Sequence, residues 1–500
     1  MKPCQRILAL LLCGLLLMAS CGKADTQNPD TDNAAGVNDT TVEEETETEP
    51  AETEISDDLP DKDLGGWDMD IVCHEDALSG TWTFTAEELN GELINDEIYN
   101  RTARLEDRFN FNYNVVPPEG SDVWGRMGTV LTNLVAAGDD VYDLAIYYTY
   151  QLQAQMVQGK LFYNMLKIPY INFEKPWWHT EINDTFTLYG YLPAILSDYS
   201  LNSYQYANLL VYNTTMADDR GIDGLYDMVR DGTWTMDNFQ KVVESVTNDT
   251  NGDGKYDEND TYGYATNFGY HALTWCYAIG EMGIHLKEDG VELGYQSEKF
   301  STMTEWLYNM LYGSNNTFEI GWDKECDIKW DENRVFIQAI WFNDLEKFRQ
   351  NESGYGLLPY PKFDEKQEKY YTYDDCRCGA FGVPIVSAAE NRENTGLILE
   401  ALSADSYKHL IPAYLENMVT FKLSRDEDSL EMLDYIMAGR VYDIGYSYPD
   451  PNNYTWVIYY KLKGSDGKLS STLAGYAEST KKYYNDKILT AYKELGEMEW

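Results

Sequence analysis

Asp143-Leu144-Ala145-Ile146-Tyr147-Tyr148 is an apolar run of the length of a fully buried strand, and the fold is read outward from it. Upstream, Met69 to Cys73 has the same character. Stretches of helical period lie between the two runs and again after Tyr150. Downstream, Thr235 is placed to cap a helix whose Phe239, Val242, Val243 and Val246 fall at i, i+3, i+4 and i+7. Val335 to Trp341 and Ala380 to Val386 read as further buried strands. The final segment, with Tyr484, Ile488, Tyr492 and Leu495 on one face, closes the chain as an amphipathic helix. Strands alternating with helices imply an α/β fold. No internal repeat of fixed period interrupts the pattern.

Charge and composition narrow the function. The 500 residues carry 38 Lys plus Arg against 85 Asp plus Glu, a formal net charge of −47 and a pI near 4.3. Such a polyanion has no clustered bases to displace phosphate counterions, which excludes nucleic acid as a partner. A hydrophobic fraction of 43% with a mean hydropathy of −0.49 describes a globular chain rather than a disordered or multispanning one. At this length the chain is expected to form two lobes.

The N-terminus reads as a targeting device. Lys2 and Arg6 precede an apolar run from Ile7 to Leu17, then Met18-Ala19-Ser20-Cys21. The run is too short to span a bilayer of about 30 Å, and small residues before a cysteine form a lipobox. Residues 1–20 are then a signal peptide and Cys21 the lipidated first residue of the mature chain. The alternatives are a cleaved, unlipidated signal and an uncleaved anchor. Residues 21–63 follow as an acidic tether, with 15 acids and one base from Asp25 to Asp63, too poor in aliphatic groups to offset the entropy of ordering. From Leu64 onward 70 acids against 34 bases remain, so the acidity belongs to the folded body too.

The most specific local motif runs from Asp249 to Asp260. Oxygen side chains stand at loop positions 1, 3, 5, 9 and 12 (Asp249, Asn251, Asp253, Asp257 and Asp260), Gly254 at position 6 permits the sharp turn, and the Lys255 carbonyl is available at position 7. This is the spacing of an EF-hand-type calcium loop, with structural Ca²⁺ as the expected cofactor. Position 12 is the shorter Asp260 instead of glutamate, and Thr261-Tyr262-Gly263-Tyr264 does not read as an exiting helix. The competing reading is an acidic turn that binds nothing tightly. Once the leader is removed and Cys21 lipidated, Cys73, Cys276, Cys326, Cys376 and Cys378 remain, an odd set that excludes a full disulfide framework and reads as free thiols.

No nucleophile elbow, phosphate-cradling loop or zinc-protease motif occurs, and the five histidines lack metal spacing. With 85 carboxylates a glycosidase pair can be drawn almost anywhere, so acids alone carry no information about hydrolysis. The expectation is a protein without enzymatic activity. Aromatics say more: 13 Trp, 41 Tyr and 16 Phe favour flat apolar faces with hydroxyl handles, which suit sugars. Each ring taken alone is more often core; Pro176-Trp177-Trp178 fits a packing wedge or a binding platform equally.

Taken in order, several segments resemble the extracellular solute-binding proteins of bacterial ABC importers, family 1, which includes maltose-binding and LplA-like lipoproteins. They are the lipobox, Asp143 to Ile146 with Gly159-Lys160-Leu161, Leu209 to Asn213, Gly232 to Phe239, the Asp249 loop with Tyr262-Gly263, Tyr355 to Pro361, and Gly382-Val383-Pro384. The resemblance covers the mature body and implies a two-lobe periplasmic-binding-protein-like fold of type II with a hinge and an interlobe cleft. It implies lobe 1 at 64–197 and 374–443, and lobe 2 at 198–373 and 444–500. It also implies ligand-facing roles for Tyr148, Tyr150, Asp198, Tyr204, Tyr270, Trp275, Trp341 and Trp456. The implied protein is a monomeric receptor on the extracytoplasmic face of the membrane that captures an oligosaccharide and delivers it to permease subunits. Peptides or other non-sugar solutes, and glycan adhesion without transport, are the alternative readings.

Overall fold

The structure is a computed structural model that describes residues 55–73, 85–116, 126–267, 270–320, 330, 332–348, 353–374, 379–419 and 427–500, with the backbone alone at 126, 150–153 and 270. Residues 1–54, where the signal peptide, Cys21 and most of the tether are expected, and Cys326, Cys376 and Cys378 lie outside these residues. The folded unit spans Leu59–Trp500. It begins before the expected end of the tether at 63, because Lys62 Nζ is held by Glu393 at 3.0 Å and Asn394 at 2.9 Å.

Two sheets organise the unit. The first has the order β12-β3-β1-β2, from β1 (Trp67–Cys73), β2 (Phe111–Val116), β3 (Leu144–Tyr148) and β12 (Gly379–Gly382). The second has the order β10-β4-β9-β5-β8, from β4 (Asn208–Asn213), β5 (Tyr262–Thr266), β8 (Thr317–Glu319), β9 (Val335–Trp341) and β10 (Tyr355–Leu358). This is a mixed α/β architecture with helices filling the connections. The runs read as buried strands are buried: Leu144 to Ile146 and Val335 to Ile340 are at most 2% exposed. Asp143 falls just outside its strand and pairs with the backbone of Asp70, its N–H donating to the Asp70 carbonyl and its carboxylate accepting from the Asp70 N–H. Burial raises that carboxyl to about 6.

The helix Met236–Val246 is capped by Thr235, whose side chain accepts from Asn238 N, and it buries Phe239, Val243 and Val246. Ala380 to Val386 is a correction: the strand stops at Gly382. Pro384 has no N–H to continue a ladder, and the chain turns to pair instead with 161–163, through Tyr163 N to Val383 O and Ile385 N to Leu161 O. Trp177 and Trp178 are core, at 0% and 3% exposure, and both indoles donate to Glu400. At the C-terminus Tyr484, Ile488, Tyr492 and Leu495 are all fully buried. The stretch from 444 serves two neighbours in turn. Tyr454 meets Tyr277 of the helix Tyr270–Ala278, whereas Tyr492 donates to the Phe186 carbonyl and Trp500 stacks on Tyr191.

Candidate functional site at the carboxyl edges

In open α/β sheets, ligands sit outside the carboxyl ends of the strands, where the chain changes direction. In the first sheet β1, β2 and β3 are parallel, so Cys73, Val116 and Tyr148 share one edge, with Gly379 of antiparallel β12 opposite Tyr148. In the second sheet β5 runs parallel to β8 and β9, so Thr266, Glu319 and Trp341 share an edge, joined by Asn208 at the start of antiparallel β4.

The chain passes between the sheets beside these edges. Ala207 bridges Asp374, and β11 (Thr372–Tyr373) pairs with β13 (Arg440–Val441), so three crossing segments lie side by side. One enters the second sheet directly at Asn208, and another reaches Gly379 of the first within five residues of Asp374. Both carboxyl edges therefore adjoin the same crossing.

Half-buried rings stand there. Tyr206 and Trp341 meet edge to face at 6.3 Å, and Trp341 lies 4.9 Å from the buried imidazole of His271. Asn208 Nδ2 donates to the Tyr373 carbonyl at 3.0 Å, so its Oδ1 is left to accept the proton on His271 Nδ1 at 2.8 Å. That chain of bonds fixes the imidazole's orientation and ties the second crossing to the helix Tyr270–Ala278. On the first sheet's edge Tyr148 is half-buried as well.

The residues named from sequence divide into four groups. Tyr148 and Trp341 stand at the two edges. Asp198, Tyr204 and Trp275 are buried in packing roles. Asp198 Oδ1 accepts from the Tyr204 hydroxyl at 2.7 Å and contacts His179 Nε2 at 2.8 Å, and burial lowers the His179 pKa. Tyr204 lies under the Arg440 guanidinium, 4.4 Å from its ring, and Arg440 donates to the Ser203 carbonyl. These groups staple the first crossing to the third. Trp275, 1% exposed, packs among Phe239, Trp306 and Tyr360 and donates to the Tyr264 hydroxyl. Trp456 is exposed on the helix Tyr454–Lys461, stacked on Tyr460 at 5.2 Å. The side chains of Tyr150 and Tyr270 lie outside the described residues. Tyr206, Asn208 and His271 were not anticipated. Tyr206 had a local signal, since it lies two residues from Tyr204 in the same crossing.

The Asp249 loop uses its acids on its own backbone. Asp249 accepts from Gly252 N and Gly254 N, Asp253 from Lys255 N, and the fully buried Asp260 from Thr250 N and Asp257 N. Gly254 has φ +79°, the left-handed turn expected at position 6. Among the described residues no three His, Cys, Asp or Glu side chains converge as metal ligands. Cys73 and Cys276 are buried free thiols, each raised well above its ordinary range by burial.

No protein-family model matches the sequence, and no curated protein matches it. Solved structures do. The galacto-N-biose/lacto-N-biose I-binding protein of the ABC transporter from Bifidobacterium longum, in complex with lacto-N-biose, matches with a TM-score of 0.56 at 12% identity, covering 86% of this chain and 99% of that one. UgpB from Mycobacterium tuberculosis, in complex with glycerophosphocholine, matches at 0.54 and 10%, covering 85% and 99%. An ABC substrate-binding protein from Listeria monocytogenes, in complex with cycloalternan, matches at 0.51 and 11%, covering 84% and 99%. The fold is that of the periplasmic-type solute-binding proteins of ABC transporters. Among the described residues no helix is long and apolar enough to cross a membrane.

Proposed function

We propose that this chain, which has the fold of the ABC-transporter solute-binding proteins, captures an oligosaccharide between its two carboxyl edges and passes it to an ABC import permease without altering it. The observation that carries the reading is the set of half-buried rings, Tyr148 on one edge and Tyr206 with Trp341 on the other. Such rings cover the apolar faces of sugars while their hydroxyl and indole groups serve the sugar hydroxyls. The lobes divide at the crossings, with 64–197 and 374–443 assigned to one and 198–373 and 444–500 to the other, save that the end of the chain, through Tyr492 and Trp500, packs back on Phe186 and Tyr191 of the first, and ligand draws the lobes together by bending at the crossings. Lipidation at Cys21 would hold the receptor on the extracytoplasmic face near its permease, where tethering raises effective concentration.

Calorimetry with malto-oligosaccharides, lacto-N-biose, glycerophosphocholine and short peptides tests the proposal. The expected result is binding of an oligosaccharide, weakened by about tenfold or more in Trp341→Ala, the loss typical of a stacking anchor. Chromatography of the incubated sugar should show no product. Binding confined to peptides or to glycerophosphocholine, or release of reducing ends, would reject the reading.

We further propose that the Asp249 loop holds structural calcium through Asp249, Asn251, Asp253, the Lys255 carbonyl, Asp257 and Asp260. Its oxygen donor set and left-handed Gly254 support this, although the ion must draw together oxygens that here accept loop N–H groups. Millimolar calcium is expected to raise the melting temperature of wild type and not of Asp249→Asn. Equal melting in calcium and in EDTA would reject the site.

A further inference from the structure

The third crossing floors a crevice of about 380 Å³ that the solute reading leaves unused. One wall is the helix Thr180–Thr185 with Leu188. The other is the segment from Met282 into β6 (His285–Lys287), and Arg440 to Ile444 form the floor. The two walls thus come from chain before the first crossing and chain between the first and second. Anything bound there touches both, together with the crossing itself.

Charge in the crevice is segregated. On the second wall Lys287 is paired with Glu292 at 2.6 Å and His285 lies 3.7 Å from Glu281, which leaves the acids of the first wall and Arg440 to set the charge of the crevice. Glu181 and Asp184 lie three residues apart on one face of their helix, with Lys369 Nζ 4.0 Å from the Glu181 carboxylate. Among the described residues no donor reaches the Asp184 carboxylate. Arg440 presents the opposite sign from the floor; its side chain keeps 12% exposure while Nη1 is committed to Ser203 and Asp374 stands 3.8 Å away. Ile182, Leu188 and Ile284 supply an apolar lining between the two poles. A purely anionic guest would meet Asp184 and Glu181, and a purely cationic one Arg440, so the crevice selects a molecule carrying both charges. Its size admits one small molecule of that kind.

We propose that this crevice is a second ligand site, for a free amino acid with an apolar side chain, its carboxylate on Arg440 and its ammonium on Asp184 and Glu181. With Nε given to the Met437 carbonyl and Nη1 to the Ser203 carbonyl, Nη2 is the guanidinium group left to donate to the carboxylate, and the aliphatic side chain replaces water against the isoleucines. Because the guest bridges both walls at the crossing, its occupancy shifts the oligosaccharide affinity of the carboxyl edges, and the reverse, by one common factor.

Calorimetry of the full chain at pH 7 with L-leucine, L-leucinamide and 4-methylpentanoate tests this. Leucine is expected to bind, while leucinamide, lacking the carboxylate, and 4-methylpentanoate, lacking the ammonium, bind about tenfold more weakly or not at all. Asp184→Asn, an exposed change that leaves packing intact, should weaken leucine by about tenfold and leave oligosaccharide binding as in wild type. Trp341→Ala should do the converse. The absence of leucine binding overturns the proposal, as does leucine binding unaffected by Asp184→Asn. Leucine binding lost in Trp341→Ala but kept in Asp184→Asn would place the amino acid at the carboxyl edges and overturn the oligosaccharide reading too. A chain that binds leucine through Asp184 but no sugar retains the crevice and rejects only that reading.

Discussion

Gly263→Ala is expected to cost about 3 kcal/mol or more of folding stability, read as a fall in the urea midpoint, and to leave little folded protein at 37 °C. A Cβ built at Gly263 stands 2.1 Å from the Val243 carbonyl oxygen and 2.6 Å from the Val243 carbonyl carbon and Cα. Those are backbone atoms of the helix Met236–Val246, so no side chain can swing aside. The helix or β5 has to move, and β5 is hydrogen-bonded between β8 and β9. Gly221→Ala is the control. That residue has φ +65° but nothing within 4 Å of the added carbon, so it costs only the left-handed strain, about 1 to 2 kcal/mol. Equal losses at the two positions would show that the close approach of helix and strand does not matter.

Gly263 also shows what the sequence can and cannot carry. Its place after the acidic loop was visible as part of an ordered pattern, but the reason for it, a helix backbone seated on the strand, was not. Strands β3 and β9 were legible because a strand covered on both faces is apolar throughout. The helix at Met236 was legible because Thr235 caps it and its apolar residues keep a period of 3.6. The end of β12 was missed because the apolar residues continue through Val386 while the hydrogen-bond partner changes at Pro384.

Site residues were harder for a related reason. Trp275 lies in the helix Tyr270–Ala278, apolar almost all round, so no amphipathic face marks its direction, and it went to the aromatic core of Phe239 and Tyr264 instead of the carboxyl edge. The place of Trp341 at the end of its strand was legible because strand ends are fixed by register. Asn208 and His271 are 63 residues apart in the chain, and their bond exists only once β4 meets the helix. Tyr204 and Tyr206 share a crossing, but only the second faces the edge. The first is spent on Asp198.

Stability is expected to rise as the pH falls from 8 to about 5.5, contrary to ordinary acid sensitivity. Asp443, fully buried at the third crossing, accepts from the hydroxyls of Tyr277 and Tyr454 and from Gly445 N, and burial raises it from 3.8 to about 7. Tyr277 stacks on Tyr373 of the second crossing at 4.3 Å, so this carboxyl joins two of the three crossings. Glu400, buried under Trp177 and Trp178, is raised from 4.5 to about 7 by the same cause. A carboxyl with a higher pKa folded than unfolded binds its proton more tightly in the native state. Its stabilising effect is therefore complete below the unfolded value near 4 and is lost as the pH rises to about 7, above which it changes no further. Each pH unit within that window changes stability by about 1.4 kcal/mol per carboxyl at most, so the two together contribute a few kcal/mol. His179 opposes them, because its buried ring has a lowered pKa and its neutral form loses stability in acid. Asp443→Asn separates the contributions, since the amide keeps the shape without a titration. The urea midpoint of wild type should climb between pH 8 and 5.5 more steeply than that of Asp443→Asn, which should be the more stable relative to wild type at pH 8. Parallel profiles would mean that Asp443 is charged in the folded protein throughout, with the tyrosine hydroxyls and the Gly445 N–H together offsetting its loss of water.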